Sequence, residues 1–104
     1  MPQPPALSPA ARQRALEKAA QARRTRAELK EKLKVGSVSL REVLDLASTD
    51  EVVGKTKVLA VLESLPGVGK VKARRLMEEI HIADSRRLRG LGQQQRADLL
   101  ARFG

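Results

Sequence analysis

Leu65-Pro66-Gly67-Val68-Gly69-Lys70 is the stretch on which the fold turns. Before it, Val58, Val61, Leu62 and Leu65 recur at i, i+3, i+4 and i+7, and after it Ala73, Leu76, Met77 and Ile80 do the same. Both flanks are therefore expected to be amphipathic helices, paired at close range by a tight connection. Gly67 and Gly69 open backbone conformations closed to other residues and let an external group come close. The second helix starts at this corner, so its first N–H groups lack intrahelical acceptors and stand at the positive end of the helix dipole. Such a corner receives a phosphate. Lys70, Lys72, Arg74 and Arg75 place four cations within six residues beside it. Pro-Gly-x-Gly alone is a tight turn; the flanking helices and the cations are what point to an anion.

Upstream, four of the five prolines lie in the first nine residues, and 1–7 reads as a flexible tail. Ser8 before Pro9 has the form of an N-cap followed by proline at the first helical position. From Pro9 to Lys34 neither Gly nor a further Pro occurs, and strong helix formers dominate, which predicts one helix of roughly 40 Å. Ala11, Ala15, Ala19, Ala22, Leu29 and Leu33 share a narrow stripe of it, bordered by Arg12, Arg23, Lys30 and Lys34. That border spans roughly 34 Å, about one turn of a nucleic-acid duplex, and is a candidate second surface for such a polyanion. Val35-Gly36-Ser37 ends the helix, and Ser39 with Glu42 has capping-box spacing for a second helix through Ala47. Ser48 and Glu51 repeat that spacing before a short turn ending at Gly54. Residues 35–64 carry five acidic and three basic side chains, so this middle segment is expected to form the back of the molecule.

Downstream, Ser85-Arg86-Arg87-Leu88-Arg89-Gly90-Leu91-Gly92 is irregular and sets three arginines within four residues, and a last helix runs from about Gln93 to Phe103. No two-residue apolar alternation marks a strand.

The chain has 104 residues, room for one helical domain over 8–104, and a formal charge of +9, which favours an anionic partner. Its apolar residues are mainly 15 Leu, 9 Val and many Ala, with one Phe and no Trp or Tyr, so the core is expected to be aliphatic. A lone Phe103 cannot build the aromatic platform on which single-stranded bases stack. Cysteine is absent, which removes thiol nucleophiles, disulfides and thiolate metal sites. No apolar run is long enough to cross a bilayer, and the start lacks the layout of a secretion signal, so a cytoplasmic protein without a membrane partner is expected. A membrane-surface role for 9–34 is disfavoured because that helix offers Ala rather than large apolar side chains.

Catalysis finds no constellation. His81 has no second His or Cys to share a metal, and the adjacent pairs Asp50–Glu51 and Glu78–Glu79 point in different directions on a helix. No catalytic residue, metal, cofactor or small-molecule substrate is assigned.

The run from Leu65 through Arg102 resembles the helix–two-turns–helix module of ribosomal small-subunit proteins and certain DNA glycosylases. With Val53-Gly54-Lys55, Leu62-Glu63-Ser64 and the 85–92 stretch, the resemblance narrows to the actinobacterial integration host factor family and covers about residues 8–104. It implies a monomeric, nucleoid-associated protein that binds double-stranded DNA with little sequence preference, bends or compacts it and supports recombination and integration. The implied fold is all-α, with the long N-terminal helix packed on a helix–two-turns–helix module and about five to six helices in total. The family's DNA-contacting arginines fall on Arg86, Arg87 and Arg89. The candidate contact set is thus Gly67, Val68, Gly69, Lys70, Lys72, Arg74, Arg75, Arg86, Arg87 and Arg89. Glycosylases with this module use an N-terminal proline as nucleophile; Pro2 is present, but Gln3 stands where glutamate is expected, and their catalytic domain and zinc finger are missing. The other reading is a ribosomal small-subunit-like protein that binds structured RNA.

Overall fold

Ser8 caps the first helix, its Oγ accepting the N–H of Ala11 at 3.1 Å, and Pro9 occupies the first helical position. The computed structural model describes residues 8–103, so the tail expected over 1–7 lies outside the described residues. The helices are α1 (Pro9–Lys34), α2 (Leu40–Ala47), α3 (Glu51–Gly54), α4 (Val58–Ser64), α5 (Gly69–Ile80) and α6 (Gln93–Phe103), with a 3₁₀ turn at Leu88–Gly90. The fold is all-α, and the only ladder-like pairing among the described residues is a single antiparallel bridge between Lys57 and Arg87.

Capping explains most boundaries. Ser39 Oγ accepts the N–H of Glu42 at 3.2 Å, as the capping-box spacing requires. Ser48, expected to open α3, instead closes α2 by donating to the Asp45 carbonyl at 2.7 Å. Asp50 caps α3, its Oδ1 accepting from the N–H of Val52 at 2.9 Å and of Val53 at 3.2 Å. A carboxylate one residue before the helix reaches two unpaired donors, which Ser48, two residues further back, cannot do. At α6 the residues Gln93 and Gln94 offer no cap. Gln95 supplies the lock instead, its Oε1 accepting from Gly92 N–H at 3.0 Å while its Nε2 donates to the His81 carbonyl at 3.0 Å.

The core is aliphatic, with Leu33, Val43, Val61, Leu62, Ala73 and Leu99 fully shielded. Along α1 only Leu29 and Leu33 are buried. Ala11 and Ala22 are half-buried, whereas Ala15 and Ala19 are exposed. Full burial along the expected stripe is therefore confined to the C-terminal half of α1, which packs against α3 and α4. A methyl group offers too little apolar area to recruit more of the body. The exposed half is held by helix propensity and by pairs such as Gln13 Nε2 donating to Glu17 Oε1 at 3.2 Å.

His81 ends α5 in the left-handed region, at φ 62°, the one non-glycine residue so placed among those described. Its N–H reaches the Glu78 carbonyl at 3.2 Å, and Ile82 N–H reaches Met77 at 2.8 Å, a pairing that usually employs glycine. Replacing the exposed imidazole by hydrogen removes left-handed strain at little packing cost. His81→Gly is expected to stabilise the protein by about 0.5–1 kcal/mol, seen as a rise in Tm of a few degrees.

Candidate nucleic-acid interface

At the corner between α4 and α5, Leu65 and Val68 turn inward and are buried, while Pro66, Gly67, Gly69 and Lys70 face solvent. Gly67 and Gly69 have φ of +74° and +69°, and a Cβ on either would meet nothing within 4 Å. Backbone sign, not crowding inside the protein, is what demands glycine there. Val68 N–H donates to the Leu65 carbonyl at 3.2 Å; no protein acceptor takes the N–H of Gly67, Gly69 or Lys70 among the described residues. No side chain caps α5 either, so its positive end is open.

The C-terminal half of α1 walls this corner. Lys30 and Lys34 line a cleft of about 430 Å³ together with Ser64, Gly67, Gly69 and Lys70. Lys30 also lines an adjoining cleft of about 440 Å³ with Arg26, Lys55, Lys57 and Arg87. The two share Lys30 and Ala60, so one basic furrow follows the seam between α1 and α4, with Glu63 the single carboxylate lining it among the described residues. Lys30 and Lys34 thus join the glycine corner instead of forming a separate surface. Arg12 and Arg23 fall within about 20° of Lys30 round α1 at 100° per residue, and prolong this flank along the exposed half of the helix.

Arg26, Lys55 and Lys57 are missing from the candidate contact residues read from sequence, and the middle segment is not wholly the back of the molecule. Val58 N–H donates to the Arg86 carbonyl at 3.0 Å and Leu88 N–H to the Thr56 carbonyl at 2.9 Å, which draws Lys55-Thr56-Lys57 alongside the arginine stretch. Averaging charge over residues 35–64 hid that lysine pair behind the five acids of the same segment. One acid does touch it: Glu51 pairs with Lys55 at 2.6 Å. That hydrogen bond and the Lys55 charge, with Lys18 and Arg89 adding to them, hold the Glu51 carboxyl below the usual carboxylate range.

The two arginine-rich elements do not form single patches. Arg86 is half-buried and donates to the Gly90 carbonyl at 2.6 Å. Arg87 donates to the Lys55 carbonyl and lines the furrow. Arg89 points into another cleft, with Asp50, Glu51 and Arg96. Gly54 permits that close packing, since a Cβ there would lie 2.7 Å from the Ala47 carbonyl oxygen and 3.3 Å from Arg89 Cβ. On α5, residues two apart lie about 200° apart, so Lys70 and Lys72 occupy opposite flanks. Lys70 belongs to the furrow; Arg74 pairs with Asp84 at 3.3 Å; Lys72 and Arg75 line a groove with Val68, Val71 and Leu76. The four cations close in sequence therefore serve three environments.

Comparison with known proteins follows the same outline. Residues 33–103 match the S13-like H2TH domain. The integration host factor of Mycolicibacterium smegmatis is 60% identical over 99 residues, covering 95% of this chain and 94% of that protein. Its namesake in Mycobacterium tuberculosis is 59% identical over 100 residues, covering 96% and 95%, and that of Streptomyces coelicolor is 55% identical, covering 96% and 94%. A solved structure of sIHF bound to an 8-bp palindromic DNA is 56% identical, with a TM-score of 0.83 over 85% of this chain and 99% of that one.

Proposed function

We propose, from the premise that the chain belongs to the integration host factor family, that it is a nucleoid-associated protein binding double-stranded DNA through the phosphate backbone. The observation that carries this is the meeting of two independent features in one furrow: unpaired main-chain donors at Gly67, Gly69 and Lys70, and the cations Lys30, Lys34, Lys57 and Arg87. One phosphate sits at the corner, and the side chains neutralise its neighbours along the strand. Contacts of this kind set position without reading bases. The exposed flank of α1 with Arg12 and Arg23 follows the duplex onward and supplies the leverage for bending or compaction, and hence support for integration and recombination. No bond-making step is assigned to the chain.

The match to an S13-like domain favours structured RNA as the second reading. Competition between a short duplex DNA and an RNA hairpin separates the two, with the duplex expected to win. Gly69→Asp tests the corner itself. Aspartate tolerates a positive φ better than most residues, and the position is open, so the fold survives. Its carboxylate then stands where the phosphate should, at roughly 1–4 kcal/mol for like charges about 4 Å apart. Duplex affinity is expected to fall about tenfold or more in an anisotropy titration; binding as tight as the parent's would overturn the assignment.

A further inference from the structure

Among the described residues, two clefts outside the furrow each expose an apolar side chain beside a charged rim, and they are complementary. The first centres on Val71, 74% exposed on α5, in the groove that also holds Lys72 and Arg75. The nearby Arg102 is already committed to Glu79 at 2.8 Å, so Lys72 and Arg75 set the sign of this rim. The second is a smaller cleft of about 170 Å³ between α1 and α2, where Leu46 is 43% exposed beside Leu29 and Val38. Glu28 and Asp50 line it with Lys32, and Glu42 lies one turn before Leu46 on the same side of α2. Carboxylates outnumber the lysine, so this rim is acidic.

We infer that Val71 of one copy docks into the Leu46 cleft of the next copy on DNA, with Lys72 and Arg75 against Glu28 and Asp50. This contact rests on the duplex binding proposed above. Both patches leave the furrow free. Glu28 is two residues from Lys30, and Lys72 two from Lys70, so each lies about 200° round its helix from the basic seam. Because knob and cleft are different surfaces, each docked copy still presents one of each, and association propagates instead of closing into a two-fold pair. The patches are too small for a stable contact between free chains, which need about 1,000 Å² or more. A shared duplex supplies the missing local concentration. Monomers in solution and arrays on DNA are therefore compatible.

The chain has no cysteine, so single thiols can be introduced cleanly. Val71→Cys and Leu46→Cys chains, mixed on a long duplex with a bis-maleimide, are expected to give a mixed dimer that is absent without DNA. Neither variant alone should cross-link, since like positions do not meet. Leu46→Ser and Val71→Ser should weaken binding at adjacent sites on the long duplex roughly tenfold. Binding to a short duplex with room for one copy should match the parent, because neither residue lies in the furrow. Absence of the mixed dimer, or dimers from Val71→Cys alone, with short-duplex binding intact, overturns the contact and leaves the furrow standing. Loss of short-duplex binding overturns both.

Discussion

Changing Lys30, Lys57 and Lys70 together to Glu is expected to lower duplex affinity at least about a hundredfold and to flatten its salt dependence. All three side chains are exposed, none belongs to an ion pair among the described residues, and they sample the furrow from α1, α4's entry and α5. Loss of one charge–phosphate contact costs about 1 kcal/mol in water, so three cost about 3 kcal/mol, and reversal adds repulsion. For a parent that engages six to ten phosphates, affinity falls roughly 10³–10⁵-fold between 50 and 200 mM salt. The logarithmic slope changes by about 0.9 per phosphate contact, so the triple variant should lose nearly three units of slope. Anisotropy titrations at four or five salt concentrations measure both quantities. A slope equal to the parent's would place DNA elsewhere on the molecule. The thermal midpoint should hold, which distinguishes lost contacts from lost fold.

Leu33→Ala is expected to produce the largest stability loss of any single alanine substitution in α1. Leu33 is fully shielded near the C-terminal end of α1, so truncation leaves a cavity costing roughly 2–5 kcal/mol. Domains of this size have only about 5–15 kcal/mol in hand. The urea midpoint should fall by roughly 1–3 M. Lys30 and Lys34 flank Leu33 on the same helix, so loosening this contact also removes one wall of the furrow, and affinity should drop with stability. Leu16 serves as the control. It is 59% exposed on the unpacked half of α1, and Leu16→Ala should change stability by no more than about 0.5 kcal/mol. Equal effects from the two substitutions would mean that α1 packs along its whole length.

The same physics bears on how Arg86 and Arg87 should be tested. Each donates to a main-chain carbonyl, at Gly90 and Lys55 respectively, so alanine there removes a structural bond as well as a charge. Arg87→Lys keeps the charge and loses the planar fork. Comparing it with Arg87→Ala separates the two contributions.

Helix limits were legible because capping and glycine conformation act within a few residues. Ser8, Ser39, Gly36 and the Gly67–Gly69 corner each satisfy or break hydrogen bonds of their immediate neighbours, and the apolar i, i+3, i+4, i+7 spacings of α4 and α5 needed only their own period to mark the core. The Ser48–Glu51 spacing misled because Asp50 was a better-placed competitor for the same N–H groups.

Charge placement followed another rule. Composition and the glycine corner alone were enough to indicate a helical, cationic partner for phosphates. Which cations share a surface depended on chain segments thirty residues apart being drawn together, as Lys55 and Arg87 are, and on helical rotation sending Lys70 and Lys72 to opposite flanks. A formal charge is carried by a residue, but an electrostatic surface belongs to the packing of several elements, and only the tertiary structure decides that.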